Sequence, residues 1–487
     1  MKKHISALLL IAMLAGMASC GSEVSPASDV TGTSSGMDTT TAPETADSRL
    51  ISDLPDKNFG GYEFRAAKQN PDKIAWSLNT FFVEEENGEV LNDTIFKRNQ
   101  DAMEKYNFTI KETVTDKDPA ITISQSVLAG DDEYDIVIGV LNLLNRIEHG
   151  ILWNLMELPN LNLDKLYWDQ NLVRDVALRG NLPFINGDIL ITDDESTMIL
   201  TYNRPMAEDF KIENLYDVVR AGKWTVDKML SCMKLVNEDL DANGTWDEND
   251  RYGLMFANNA AAAPYFGAFD VYLYEMDEKS GEPVFTGKSE RAHTAFEKMN
   301  SILADTKMSF DWSRITENTA AKVAGMLGNK QVLFQSMVLS MVRRNYRDIA
   351  LDFGILPIPK FDEAQAEYGT IVNLSTPFIS VPATVSEPET VGFILEALAA
   401  ASGDVTETYY SVCMESKYTR DEESFEMIEL ARQKLTYDMG FVYNWGGLSA
   451  AITKDIMTSG GNYASLVASF ETAANEAMKL YLEKLQG

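Results

Sequence analysis

Histidine is nearly absent from this chain, with three among 487 residues, and His4 belongs to an N-terminal apolar segment. His149 and His293 alone leave little material for a Ser-His-Asp triad or a multi-histidine metal centre. Cysteine is as scarce. Apart from Cys20 there are only Cys232 and Cys413, both inside helical patterns, so no disulfide scaffold is expected; one bridge or two reduced core thiols stay open. Basic charge is also short: 42 Lys and Arg against 74 Asp and Glu give a formal charge of −32. Phosphate binding needs clustered cations, so nucleic acid and anionic membrane surfaces are disfavoured as partners. No later apolar run approaches the roughly 20 residues that span a bilayer, and the body is expected to be soluble.

What is present begins with a secretory signal. Lys2 and Lys3 precede an apolar run from Ile5 to Ala18, too short for a membrane span, followed by Ser19-Cys20. Met17-Ala18-Ser19-Cys20 resembles a bacterial lipobox, which implies that Cys20 is acylated and becomes the mature N-terminus. From Gly21 to Ser48, 12 of 28 residues are Ser or Thr and none is Lys, Arg or aromatic. Such a chain cannot bury enough apolar surface to offset its ordering entropy and is expected to act as a tether. The residues that follow are too many for one compact core and suit two lobes.

Along the body, strands and helices alternate. Tyr62 to Ala67 alternates apolar and polar after Gly60-Gly61, and Asn92 can cap a helix running to Tyr106. Phe108 to Val114 reads as a strand, Ile121 to Ala129 as a helix closed by Gly130, and Tyr134 to Gly139 as a buried strand. This order predicts an α/β fold with a mostly parallel sheet covered on both faces. Thr225 can cap a helix carrying Val226, Met229, Leu230, Met233 and Val236 inward. Ser386-Glu387-Pro388-Glu389 reads as a capping box, and the last helix carries Val467, Phe470, Ala474, Met478, Tyr481 and Leu485 at helical spacing.

The stretch Leu182 to Arg204 is expected at the centre of the molecule. It predicts strands at Leu182–Ile185 and Ile189–Ile191 around an Asn186-Gly187 turn, then the acidic knot Asp193, Asp194 and Glu195, then a strand at Met198–Tyr202. The knot is either an exposed hairpin tip or part of a segment crossing between lobes with its carboxylates facing a cleft.

Asp239 to Asp250, DLDANGTWDEND, fits the twelve-residue calcium loop of an EF-hand. Asp239, Asp241, Asn243, Asp247 and Asp250 fall on side-chain ligand positions, Thr245 on the carbonyl position and Gly244 on the sharp turn. The last ligand is Asp where Glu is usual, and Arg251 to Leu254 predicts a strand where an exit helix is usual. One structural calcium ion is the expectation, with a solvated acidic turn as the alternative.

Stretches across the body are similar to those of family 1 extracellular solute-binding lipoproteins of bacterial ABC importers, the sugar-binding type of Gram-positive bacteria. They include Gly61-Tyr62-Glu63-Phe64, Leu91-Asn92-Asp93, Tyr134-Asp135-Ile136-Val137, Gly222-Lys223-Trp224-Thr225, Asp250-Arg251-Tyr252-Gly253, Asp352 to Pro357, Lys417 to Ser424, and Tyr443-Asn444-Trp445-Gly446-Gly447. The resemblance implies a two-lobed type II periplasmic-binding-protein-like fold with hinge crossings at Leu182–Arg204, Pro357–Asn373 and Ser402–Tyr410. One lobe would take 49–192 plus 372–403 and the other 197–358 plus 410–487, behind a signal at 1–19 and a lipidated tether at 20–48. It further implies a non-catalytic, monomeric protein, lipid-anchored on the outer face of the cell membrane, that delivers a solute to ABC permease subunits.

Sugar sites combine aromatic platforms with carboxylates and amides. The candidate contacts are therefore Trp76, Asp193, Asp194, Glu195, Tyr265, Phe266, Asn373, Tyr443 and Trp445. A carbohydrate is the expected ligand. A cationic amine or peptide, or a surface glycan hydrolase with paired carboxylates, are the alternatives.

Overall fold

The computed structural model describes residues 47–73, 81–257, 262–317, 319–346, 351–419 and 421–485. Cys20, the signal and Trp76 lie outside them. The body builds two α/β lobes, each around its own mixed sheet.

Gly60 and Gly61, both at positive φ, turn the chain into β1 (Tyr62–Gln69). The helix Val90–Tyr106 then returns it to β2 (Phe108–Thr115), parallel to β1 with Tyr62 opposite Phe108. That helix starts earlier than expected, because the Glu89 carboxylate accepts the Asn92 N–H at 3.1 Å and takes the capping role assigned to Asn92. The next expected helix divides into a 3₁₀ turn at Pro119–Ile121 and a helix Ile123–Ala129 ended by left-handed Gly130. β3 (Ile136–Val140) pairs parallel with β1 on its other side and is buried throughout. Just before it, buried Asp135 accepts the Arg65 N–H at 2.7 Å and forms an ion pair with the Arg65 guanidinium at 2.6 Å.

The Leu182–Ile191 segment differs from its expectation. It forms no strand; Ile185 makes one bridge to Ile379 and Gly187 one to Trp168. The cause is tertiary. The Asn186 side chain donates to Thr192 Oγ1 at 2.8 Å and to the Pro377 carbonyl at 3.1 Å, while a Cβ on Gly187 would sit 2.3 Å from the Tyr167 carbonyl. The chain is thus pressed onto its neighbours, Ile191 turns left-handed at φ 51°, and Thr192–Glu195 forms a single helical turn.

β4 (Met198–Asn203) enters the second sheet, followed by the helix Val226–Val236 with Thr225 as its cap and β5 (Tyr252–Phe256). A hairpin of β6 (Tyr274–Asp277) and β7 (Glu282–Phe285) precedes β8 (Ser309–Asp311), β9 (Val332–Val338) and β10 (Phe353–Pro357). The order across this sheet is β10-β4-β9-β5-β8, with β5 parallel to β8 and β9, and β4 antiparallel to β9 and β10. β4, β5, β9 and β10 are buried at every residue, as expected of strands covered on both faces.

The chain then returns through β11 (Thr370–Ile371) to β12 (Pro377–Ser380), which adds antiparallel to β3 and gives the first sheet its order β12-β3-β1-β2. The helix Pro388–Ala400 begins at proline, but its cap residue Glu387 makes no side-chain capping bond, so the expected capping box does not form. After the helix Glu422–Arg432, β13 (Leu435–Thr436) pairs parallel with β11. The final helix Tyr463–Lys484 buries Val467, Ala474 and Met478. Cys232 and Cys413 are both buried and are not bridged to each other. Among the described residues no helix is long and apolar enough to cross a membrane.

Candidate functional site

In open α/β sheets ligands collect beyond the carboxyl ends of the strands. Here the carboxyl end of β3 runs into Asn142, Asn145 and Arg146, and the segment after β5 brings in Pro264; the return segment adds Asn373 and the C-terminal region adds Asn444. These residues line one cleft of about 220 Å³ between elements of both lobes. Pockets for small ligands span about 300–1,000 Å³, so the space suits a small solute or one end of a chain.

The amides in this cleft are oriented by the backbone. Asn373 Oδ1 accepts the Ser375 N–H at 2.9 Å, and Asn444 Oδ1 accepts the Ala450 N–H at 3.1 Å and the Ser449 hydroxyl at 2.7 Å. A backbone N–H can only donate, so each carboxamide must turn its oxygen inward to the protein and leave its NH₂ group over. Asn145 is fastened the other way, donating its amide to the Val442 carbonyl.

Of the expected contacts, Asn373 lines the cleft. Tyr265 and Phe266 follow lining residue Pro264 but point into the core at 0 % and 1 % exposure, Phe266 against Phe441 at 5.7 Å. Trp445, expected to offer a flat face, is 5 % exposed: Tyr443 stacks on it at 5.1 Å and the Tyr274 ring meets it at 4.8 Å. Tyr443 itself donates its hydroxyl to the Val176 carbonyl at 2.8 Å. Both rings are committed to the core, and the cleft receives their neighbour Asn444 instead. Asn142, Asn145, Arg146 and Asn444 escaped the sequence reading. The available signal was the LNLLNR run, where two amides interrupt an apolar stretch directly after a buried strand.

The acidic knot is not lined up against the cleft but is neutralised within the fold. Asp194 pairs with Arg432 at 2.8 Å, and the Arg432 guanidinium lies 3.5 Å over the Tyr410 ring. Glu195 faces Arg343 at 3.4 Å. Asp193 is hydrogen-bonded to Asp169, which also accepts the Tyr437 hydroxyl at 2.5 Å and the N–H groups of Asn171 and Leu172 at 2.8 and 3.2 Å. Burial, then the neighbouring Asp194 and Asp169 charges, raises the Asp193 carboxyl well above the ordinary carboxylate range. Asp169 is raised by burial as well, but the hydrogen bonds it accepts from Tyr437, from backbone and from Asp193 pull it back. The proton of the pair therefore rests on Asp193. Elsewhere, burial pushes the Asp438 carboxyl up to about 7 against the N–H groups of Leu273 and Phe441.

The loop Asp239–Asp250 is closed by an antiparallel bridge between Glu238 and Arg251. Carboxylate oxygens of Asp239, Asp241 and Asp250 lie within 4.8 Å of one another, an arrangement that can hold a metal ion. Asp239 Oδ1 is buried without a hydrogen-bond partner, which fits a ligand atom. Asp250 accepts the N–H groups of Leu240 and Asp247, and Asp247 that of Asn249, at 2.8–3.0 Å. Asn243 Oδ1 accepts the Thr245 N–H at 2.6 Å. Asn243, Thr245 and Asp247 thus shape the turn around the three converging carboxylates.

No protein-family model and no curated protein matches the chain. Solved structures do. The galacto-N-biose/lacto-N-biose I-binding protein of the ABC transporter from Bifidobacterium longum, in complex with lacto-N-biose, superposes with a TM-score of 0.55 at 12 % identity, over 87 % of this chain and 98 % of that one. An ABC transporter solute-binding protein from Thermotoga lettingae bound with α-D-tagatose gives 0.53 at 14 %, over 86 % and 100 %. An ABC substrate-binding protein from Listeria monocytogenes in complex with cycloalternan gives 0.52 at 12 %, over 86 % and 99 %. The fold is that of two-lobed ABC-transporter solute-binding proteins.

Proposed function

We propose that this protein is the solute receptor of an ABC importer and that it delivers a carbohydrate to the permease without altering it. The observation that carries this reading is the amide-lined cleft between elements of both lobes, whose lining includes Asn142, Asn145, Asn373 and Asn444. Fixed carboxamides match the paired hydroxyls of a sugar, and three structural neighbours hold carbohydrates. No Asp or Glu is among the cleft's described lining residues, which favours binding over carboxylate hydrolysis and over capture of a cation. Residues 49–192 with 372–403 form one lobe in this reading and 197–358 with 410–487 the other; the protein acts as a monomer held outside the cell by lipid on Cys20. Membrane fractionation of Cys20→Ala checks the anchor: release into the soluble fraction is expected, and unchanged partitioning contradicts it. The loop at Asp239 holds calcium.

The cleft is tested by calorimetric titration with a panel of oligosaccharides against wild type, Asn142→Ala and Asn373→Ala. Losing one neutral hydrogen bond costs about 1 kcal/mol, roughly fivefold in affinity. Binding that neither substitution weakens would place the ligand elsewhere.

A further inference from the structure

The cleft contains one formal charge among its described lining, and it is positive: Arg146, an exposed residue just past β3. In a chain with 74 acidic residues most described arginines are matched to a carboxylate: Arg65 to Asp135, Arg204 to Asp421, Arg220 to Glu426, Arg432 to Asp194. Among the described residues Arg146 has no ion-pair partner and its side chain makes no hydrogen bond. Leaving a guanidinium unmatched at the mouth of a cleft, on so acidic a molecule, means its five donors are open to whatever enters.

The amides share this polarity. Asn373 and Asn444 have their oxygens occupied by the protein and their NH₂ groups over, and the Asn142 side chain has no partner among the described residues. Asn145 leaves one acceptor. The wall is therefore rich in donors, with a cation at its edge. At physiological salt, screening over about 8 Å confines the influence of the distant acidic surface, so the local donors decide what binds.

Resting on the reading of this cleft as the solute site, we propose that its ligand is an acidic carbohydrate, carrying a carboxylate or a sulfate ester that Arg146 engages. An oxyanion accepts two parallel N–H bonds from a guanidinium, and charge assistance makes such a pair stronger than a neutral one. The neighbouring amides then take the ring hydroxyls.

The test uses the mature protein and a pooled mixture of size-matched oligosaccharides from pectin, hyaluronan, chondroitin sulfate, starch and xylan. Species retained with the protein on size exclusion are identified by mass spectrometry. Calorimetry of the retained species then compares wild type, Arg146→Gln and Arg146→Lys. The expected result is retention of uronate-bearing or sulfated members; whichever is retained names the anion. Arg146→Gln then weakens binding by about tenfold or more, Arg146→Lys by less, and added salt weakens wild type but not Arg146→Gln. Arg146 is exposed, so the melting temperature without ligand stays unchanged. Retention of neutral oligosaccharides alone, or equal affinity in Arg146→Gln, overturns the anionic ligand while leaving the cleft as a solute site. Retention of nothing overturns both.

Discussion

Asp193 shows how far a side chain's neighbours can reverse what its identity implies. Three consecutive carboxylates read as mutually repelling charges facing solvent or a ligand; folded, Asp194 and Glu195 each gain an arginine and Asp193 keeps its proton against Asp169. A carboxyl raised in the native state binds a proton that the unfolded chain has released, so its contribution to stability is complete below about pH 4 and declines as pH rises through the native value. Facing it are Asp169, Asp194 and the Tyr437 hydroxyl. Asp193→Asn stays neutral at every pH and can still donate to Asp169. Its melting temperature should therefore gain on wild type as the pH is raised above about 4 and through the native value. A difference that stays constant over this range would show that Asp193 does not carry the proton. The aromatic candidates are drawn inward for a simpler reason. Trp445 and Tyr443 stand in a segment rich in Asn and Gly, which points to surface, but rings that can stack on each other gain more from burial. Gly446 permits it, since a Cβ there would lie 2.6 Å from the Ala474 nitrogen and hold the final helix off.

At the scale of elements, segments stabilised by their own pattern were legible and those fixed by distant contacts were not. β1, β2 and the Thr225-capped helix stand close to where periodicity and capping put them, because alternation and caps act locally. Ile189–Ile191 has the β-branched composition of a strand, yet Asn186 and Gly187 fasten the segment to β12 and to Tyr167, 191 and 20 residues away in sequence, and no local pattern encodes that. The Asp239 loop is readable because its three converging carboxylates fall within one twelve-residue stretch. Bound to the native state alone, calcium at a hundredfold excess over its dissociation constant stabilises by about 2.7 kcal/mol. Chelation should lower the melting temperature of wild type. Asp241→Ala, which removes an exposed carboxylate of the cluster, should melt low from the start and ignore the chelator. An equal drop in both proteins would mean that this loop is not where the ion sits.

For the whole molecule, alternating strands and helices predict the fold class, but the site depends on where separate turns meet. Asn142, Asn373 and Asn444 come from three regions far apart in the chain, so only the assembled lobes bring them to one cleft. Asn373 was legible through the crossing that contains it, whereas Arg146 had nothing in its surroundings to set it apart. A solute that touches both lobes binds the closed arrangement better and shifts the population toward it. Small-angle scattering of the mature protein, with and without a saturating oligosaccharide that it binds, reads this directly. A smaller radius of gyration on binding is the predicted result; an unchanged radius at full occupancy would contradict a ligand held between the lobes.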